Sequence, residues 1–442
     1  MKHIFLTTTM IAAEASTPLA AQNRIDGQAP DAPTLSAYGA FDVGVRTLDG
    51  LPGDTRDLTL ELWYPALAGS TGDMGIDALI RDAGVVPSDP ATPGFRPDET
   101  VRLQGRAIRD AAPIDSAEDF PLVILSHGFP GNRYLMSHLG ENLASKGYVV
   151  ASIDHSESLY SDDPRPFGST LLNRPYDQLF VLEEMARLNA DPTSDLAGRI
   201  DTDNTGLVGY SMGGYGAIIT AGGGLSPNAP FGPDVHESGS PTHDALPDPR
   251  IKTVIAIGPW GRQFGLWDEA GLSEIDIPMM FIAGSNDTIS GYDTGVRKIW
   301  EETTGTDRAL LTFIGGSHNT AAPIPAPLES FYFNDELGFD VSEHYTDPVW
   351  DTVFMNNVAQ HFSTAWFDTQ LKGDASRSIF LDLPENGDLG GWEGFTGDAS
   401  AGLRYETLSA TPAPVPLPAS LWMLGLAATG LGVLARRRAT TA

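Results

Sequence analysis

Six short strand-like runs recur along the chain: Phe120–Ser126, Tyr148–Ile153, Thr205–Tyr210, Lys252–Ile257, Pro278–Ala283 and Ala309–Ile314. Most are unbroken apolar stretches, the pattern of a strand covered on both faces; a strand with one wet face would alternate. Stretches with helical spacing fall between and after them. Tyr134–Lys146 spaces Leu135, Leu139 and Leu143 for one face and ends at Gly147. Tyr176–Asn189, Met212–Gly222, Thr294–Thr303 and Val349–Leu371 also read as helices. Strands alternating with helices require parallel βαβ units, so the expected class is α/β, a mostly parallel central sheet with helices on both faces. Leu58–Pro65 alternates and stops at a proline, as an additional early strand would. Residues 66–100, rich in Gly, Pro and Asp, read as a long excursion. The segments 155–175, 225–249 and 319–346 read as loop insertions over the active edge. No internal repeat is present.

Charge narrows the partners. The net charge of −31 repels phosphate backbones, which argues against nucleic acid. The chain has no cysteine, so disulfides, thiolate zinc sites and a Cys nucleophile are excluded together.

The termini read as address rather than chemistry. Residues 1–21 start with Lys2, continue weakly apolar and reach Ala20-Ala21, the outline of a signal segment. A folded body with insertions is expected over 22–405, a Pro-rich linker over 406–420, and a membrane or sorting segment over 421–438. The stretch Leu417–Ala435 carries no charge and approaches the ~20 residues that span a bilayer. Arg436-Arg437-Arg438 would hold its end in the cytoplasm, leaving the body outside. The order Val415-Pro416-Leu417-Pro418-Ala419, apolar segment, arginine cluster resembles the VPLPA variant of PEP-CTERM sorting tails. That resemblance implies export, passing membrane anchorage and processing by an exosortase, with the export and sorting machinery as partners and a periplasmic, cell-surface or extracellular destination.

The chemistry starts at Gly209-Tyr210-Ser211-Met212-Gly213-Gly214, between an expected strand and an expected helix. In that context G-x-S-x-G is a nucleophile elbow, a turn so tight that the flanking residues must be nearly bare. A serine hydroxyl needs a base, and the base needs an orienting carboxylate. Asp287 and His318 each stand just past a later buried strand, at the edge where Ser211 emerges. The competitors are placed worse. His344 and His361 follow no buried strand, Asp276 precedes its strand, and Asp293 falls toward the next helix. Donors for a developing oxyanion are expected from the backbone of Met212, after the nucleophile, and of Phe129, in Ser126-His127-Gly128-Phe129-Pro130-Gly131. Pro130 has no N–H, and His127, upstream of the serine, reads as structural. Tyr215 and Trp260 are candidates for an acyl pocket and equally for the core. Asp154-His155-Ser156-Glu157 could line the pocket or close a hydrogen-bonded turn. Asp201-Thr202-Asp203-Asn204 echoes a calcium loop but has Met212 where a Glu is required, so it reads as a turn and no metal is expected.

With these residues in view, the chain resembles the α/β-hydrolase superfamily over about residues 40–372. Within it, Leu62-Trp63-Tyr64-Pro65, Ser126-His127-Gly128-Phe129, the Ser211 elbow, Asp287 and His318 resemble plasma-type platelet-activating factor acetylhydrolases and predicted dienelactone hydrolases. Dienelactone hydrolases proper use a Cys, which is lacking here. The resemblance implies a carboxylic-ester hydrolase, lipase-like or esterase-like, with Ser nucleophile, His base, Asp partner and no cofactor. An acyl peptidase or amidase on the same triad, and a non-catalytic surface protein on a hydrolase scaffold, are the alternatives.

Overall fold

The computed structural model describes residues 23–52, 57–79, 100–116, 118–162, 166–334 and 338–411. The expected signal segment and the C-terminal sorting segment lie outside them. Among the described residues no helix is long and apolar enough to cross a membrane.

The chain runs β1 (Asp42–Pro52), β2 (Asp57–Ala66), β3 (Met74–Leu79), β4 (Thr100–Arg109), β5 (Phe120–Ser126), α1 (Ser137–Ala144), β6 (Val149–Asp154), α2 (Phe167–Ala190), β7 (Ile200–Tyr210) and α3 (Met212–Thr220). It continues with β8 (Ile251–Ile257), α4 (Glu269–Leu272), β9 (Met279–Gly284), α5 (Arg297–Glu302), β10 (Arg308–Phe313), the small pair β11 (Phe333–Asn334) and β12 (Phe339–Asp340), α6 (Thr352–Gln370) and β13 (Leu403–Leu408). An 11-stranded sheet has the order β13-β10-β9-β8-β7-β5-β6-β2-β1-β4-β3. From β6 through β5, β7, β8 and β9 to β10 every pairing is parallel; β2 and β13 join the two ends of that block antiparallel.

Alternate residues of the central strands feed two cores, as the two-residue period of a strand dictates. Val123, Leu125, Val208, Ile255 and Ile282 pack toward α1 and α6. Leu122, Ile124, Leu207, Val254 and Phe281 pack toward α2 and α3.

Several expectations need correction. The excursion after β2 contains β3, and β4 closes it. The linker does not begin at 406, because residues 406–408 lie in β13, paired Leu310↔Glu406 and Arg308↔Leu408 with β10. Helix α2 starts at Phe167, inside a segment expected to be loop, and holds Pro175 within it. Propensity alone would stop a helix there. The buried Thr170, Leu171 and Arg174 override it by anchoring the first turns.

Chain order reverses at β5, which has β6 on one side and β7 on the other. The carboxyl ends of β5 and β7 are adjacent, with Ser126 opposite Gly209. Ligands of open α/β sheets bind at such a switch point.

Candidate active site

β7 ends and α3 begins within one residue. Ser211 takes φ +54°, ψ −113°, a conformation that L-residues avoid and that a surrounding structure must enforce. Its N–H donates to Ile257 O at 2.9 Å, and its carbonyl accepts from Trp260 N at 3.1 Å. The two elbow glycines are required by contact rather than by torsion. A Cβ on Gly209 would stand 2.4 Å from Gly213 O, and one on Gly213 would stand 2.0 Å from Ser126 O.

Three side chains from three strand ends converge. Ser211 Oγ lies 2.9 Å from His318 Nε2, and His318 Nδ1 lies 2.9 Å from Asp287 Oδ2. A carboxylate only accepts, so Nδ1 carries the hydrogen and Nε2 is left to accept from the serine hydroxyl. Asp287 is buried, and its other oxygen accepts from Ile289 N and Ser290 N at 2.9 Å each. Gly258, at φ +49°, passes close by: a Cβ there would be 3.4 Å from Asp287 Oδ2. On the opposite flank the Tyr210 ring lies 5.2 Å from that of His318. Burial, and after it the Asp287 carboxylate, hold the Tyr210 phenol well above its ordinary 10.0. It therefore stays a neutral donor, to Asn319 Oδ1 at 3.1 Å.

The loop after β5 lies against Ser211; a Cβ on Gly128 would be 3.2 Å from Ser211 Cβ. Phe129 follows in that loop, and Met212 opens α3, where the first N–H groups have no acceptor within the helix. The cleft above Ser211 has a volume of about 410 Å³ and is walled by Phe129, Leu135, Tyr160, Ile289, Phe339 and His344. Burial holds the His344 imidazole below its usual 6.5, so it is neutral. Phe339 and His344 come from the 319–346 insertion, whose contribution had no sequence signal beyond its position after a strand.

The other candidates fall as follows. Tyr215 is fully buried in α3 with its ring 5.3 Å from that of Trp267, so it is core and not pocket. Every residue of α3 is buried, and Tyr215 packs with the helix into the core. Trp260 lies outside the cleft wall, in a cluster with Phe167, Phe231 and Phe264. Phe167 joins that cluster to Phe129 at 5.7 Å, and Phe231 and Phe264 are about half exposed. His361 is buried in α6, where burial depresses it to about 3. Asp293 sits in a π-turn before α5. His155 is buried below the cleft rather than lining it. Asp201–Asn204 is not a separate turn but the irregular start of β7, where the pairing with β5 shifts register; there Asp201 accepts from Asp203 N and Asn204 Nδ2, and among the described residues no cluster of His, Asp or Glu could hold a metal ion.

Residues 109–238 match a family model described as "PETase: PET hydrolase-like". The solved ferulic acid esterase from Streptomyces cinnamoneus superposes with a TM-score of 0.58 at 20% identity, covering 87% of this chain and 99% of that one. This is an α/β-hydrolase fold. Cutinase est2 of Thermobifida alba is 26% identical over 197 residues, 44% of this chain and 52% of that protein. The bis(hydroxyethyl) terephthalate hydrolase of Streptomyces coelicolor is 25% identical over 200 residues, 45% of this chain and 50% of that protein. The chain thus spans about half the length of the curated relatives it matches. The matched residues hold the loop after β5 and the Ser211 elbow, while Asp287, His318 and Leu62–Pro65 lie beyond them. The match is therefore to PET hydrolase-like proteins, and none of the relatives named above is an acetylhydrolase or a dienelactone hydrolase.

Proposed function

We propose that this chain is a serine carboxylic-ester hydrolase. The observation that carries the reading is the Ser211–His318–Asp287 relay, 2.9 Å at each link, at the floor of an open cleft. Ser211 Oγ attacks the ester carbonyl while His318 Nε2 takes its proton. The oxyanion is received by the N–H groups of Phe129 and Met212, and Asp287 orients and stabilises the imidazolium. Collapse of the tetrahedral species expels the alcohol, which His318 protonates. Water, with His318 again as base, then hydrolyses the acyl-enzyme and restores Ser211.

The acyl group is read as aromatic. Phe129 leads from the cleft to Phe167, Trp260, Phe231 and Phe264, a ring surface against which a flat acyl group can lie. The relatives named for terephthalate and ferulate esters agree with that class. The terminal segments support export with sorting by way of the C-terminal tail.

The test compares p-nitrophenyl acetate, butyrate and palmitate with methyl ferulate and bis(hydroxyethyl) terephthalate, using the full chain and Ser211→Ala. The expected result is turnover of short and aromatic esters and its loss in Ser211→Ala. Turnover in Ser211→Ala within tenfold of the parent would overturn the serine reading. Palmitate preferred over both aromatic esters would overturn the acyl class.

A further inference from the structure

Beneath the cleft lies a second Ser–His–Asp set. Ser126 Oγ is 2.8 Å from His155 Nε2, and His155 Nδ1 is 2.7 Å from Asp177 Oδ2. All three residues are buried, Ser126 and His155 almost completely. Asp177 belongs to α2, and its neighbours on the same helical face, Arg174 and Gln178, point at the same place.

Arg174 donates from Nη1 to His127 O, and from Nη2 to Gly128 O at 2.8 Å and Ser158 Oγ at 2.7 Å. His127 Nδ1 also donates to Gly128 O, at 2.7 Å, which leaves its Nε2 to accept from His155 N at 3.2 Å. Gly128 O and Phe129 N–H belong to one planar trans peptide, so they point in opposite directions. Two donors that hold the carbonyl inward therefore aim Phe129 N–H away from Arg174. Gln178 grips the other half. Its Nε2 donates to Ser126 Oγ at 3.0 Å and to Gly213 O, in the first turn of α3, at 3.1 Å. Thr220, at the far end of α3, donates to Gln178 Oε1 at 2.7 Å. The two helices approach this closely because Gly216 is bare; a Cβ there would be 2.8 Å from Arg174 Cβ.

We infer that Arg174, Asp177 and Gln178 form the positioning face of the oxyanion hole, with Ser126 and His155 as a brace and not as a second reaction centre. This rests on the ester-hydrolase reading above. One helix fixes the separation of the two oxyanion donors, Phe129 N–H through Arg174 and Met212 N–H through Gln178. The buried set hooks the end of β5 to that helix, so the loop cannot shift without breaking hydrogen bonds that water cannot replace.

The experiment measures kcat and KM of full-length Gln178→Leu, Arg174→Lys and Asp177→Asn on p-nitrophenyl acetate, with thermal midpoints for each. The matched thionoester is run beside it, because sulfur accepts weakly from an oxyanion hole. Gln178→Leu and Arg174→Lys are expected to lower kcat about 10- to 100-fold, as displacement of a single donor does, with KM within about threefold. Their ester-to-thionoester rate ratio should fall with kcat. Asp177→Asn should do the same to a smaller degree. If Arg174→Lys does not fold, Gln178→Leu decides. Folded variants with kcat within twofold of the parent, or with a lowered kcat and an unchanged ratio, would overturn the inference. Activity retained in Ser211→Ala would instead remove the reading beneath it.

Discussion

Two Ser–His–Asp sets stand in one molecule with nearly the same spacing, 2.9 Å at both links for Ser211–His318–Asp287, and 2.8 and 2.7 Å for Ser126–His155–Asp177. Their side-chain chemistry is the same; their settings are opposite. Ser211 is held at a left-handed φ at a helix start, under a cleft, with loop amides beside it. Ser126 is the last residue of a central strand, fully buried, and its oxygen already accepts from Gln178. A triad is therefore a reaction centre only where a substrate carbonyl and oxyanion donors can share the space. Without that space, the same three groups are a well-satisfied buried network, worth more to rigidity than to chemistry.

The comparison can be broken by mutation, and the largest effect should separate the carboxylates. Asp287→Asn is expected to lower kcat about 10⁴-fold by leaving His318 in the wrong tautomer, in line with the aspartate-to-asparagine change in a serine-protease triad. Asp177→Asn should cost about tenfold or less, through positioning alone. Steady-state kinetics on one ester reads both; equal losses would erase the distinction. Covalent labelling sharpens it at the next level. An alkyl fluorophosphonate followed by peptide mass spectrometry should modify Ser211 and leave Ser126 untouched, and modification of Ser126 would show that the buried set is reachable.

Stability should run the other way. Ser126→Ala strands Gln178 Nε2–H and His155 Nε2 in the interior and should cost about 1–3 kcal/mol in urea unfolding. Ser211→Ala faces a solvent-accessible cleft and should cost less than about 0.5 kcal/mol. The remaining contrast concerns acid. His138 on α1 is buried, bonded to Ala322 O at 3.0 Å, and desolvation lowers it from 6.5 to about 4. His127 is lowered as well, by burial first and then by Arg174 and His155. Folded-state values below the unfolded ones mean that the unfolded chain binds more protons between them. Stability is then present above about pH 6.5 and is lost as pH falls toward 4. His138→Asn should flatten that slope in thermal melts recorded from pH 7 to 4; an unchanged slope would remove His138 from the acid response.

Much of this could be read before any coordinates. Buried strands announce themselves as apolar runs, so β5, β6, β8, β9 and β10 lie within about a residue of their expected bounds. The outer strands are harder to read. β4 alternates, with Val101, Leu103 and Ala107 buried between more exposed residues, but it sits beside a Gly- and Pro-rich segment that masked the period. β13 was hidden by the proline-rich stretch after it. The expected residues Ser211, Asp287 and His318 do come together, because each follows a parallel strand and parallel strands all end at one edge. Tyr215, equally a pocket and a core candidate in the sequence, falls to the core: α3 is buried on all sides, so its periodicity carries no information that would separate the two.

What the sequence determined by itself is everything set by near neighbours along the chain: the two-sided strands, the bare glycines at the elbow, and the strand-end positions of Asp287 and His318. What only the tertiary structure decided is everything set by packing between distant segments. Ser126 ends β5, His155 follows the end of β6 and Asp177 lies in α2, with no motif to join them. Helix α2 runs through Pro175 because buried contacts outweigh propensity, and the cleft wall is borrowed from the 319–346 insertion. Local rules fix how a strand or turn is made; which of two similar triads meets solvent depends on which layers cover it, and that is a property of the whole fold.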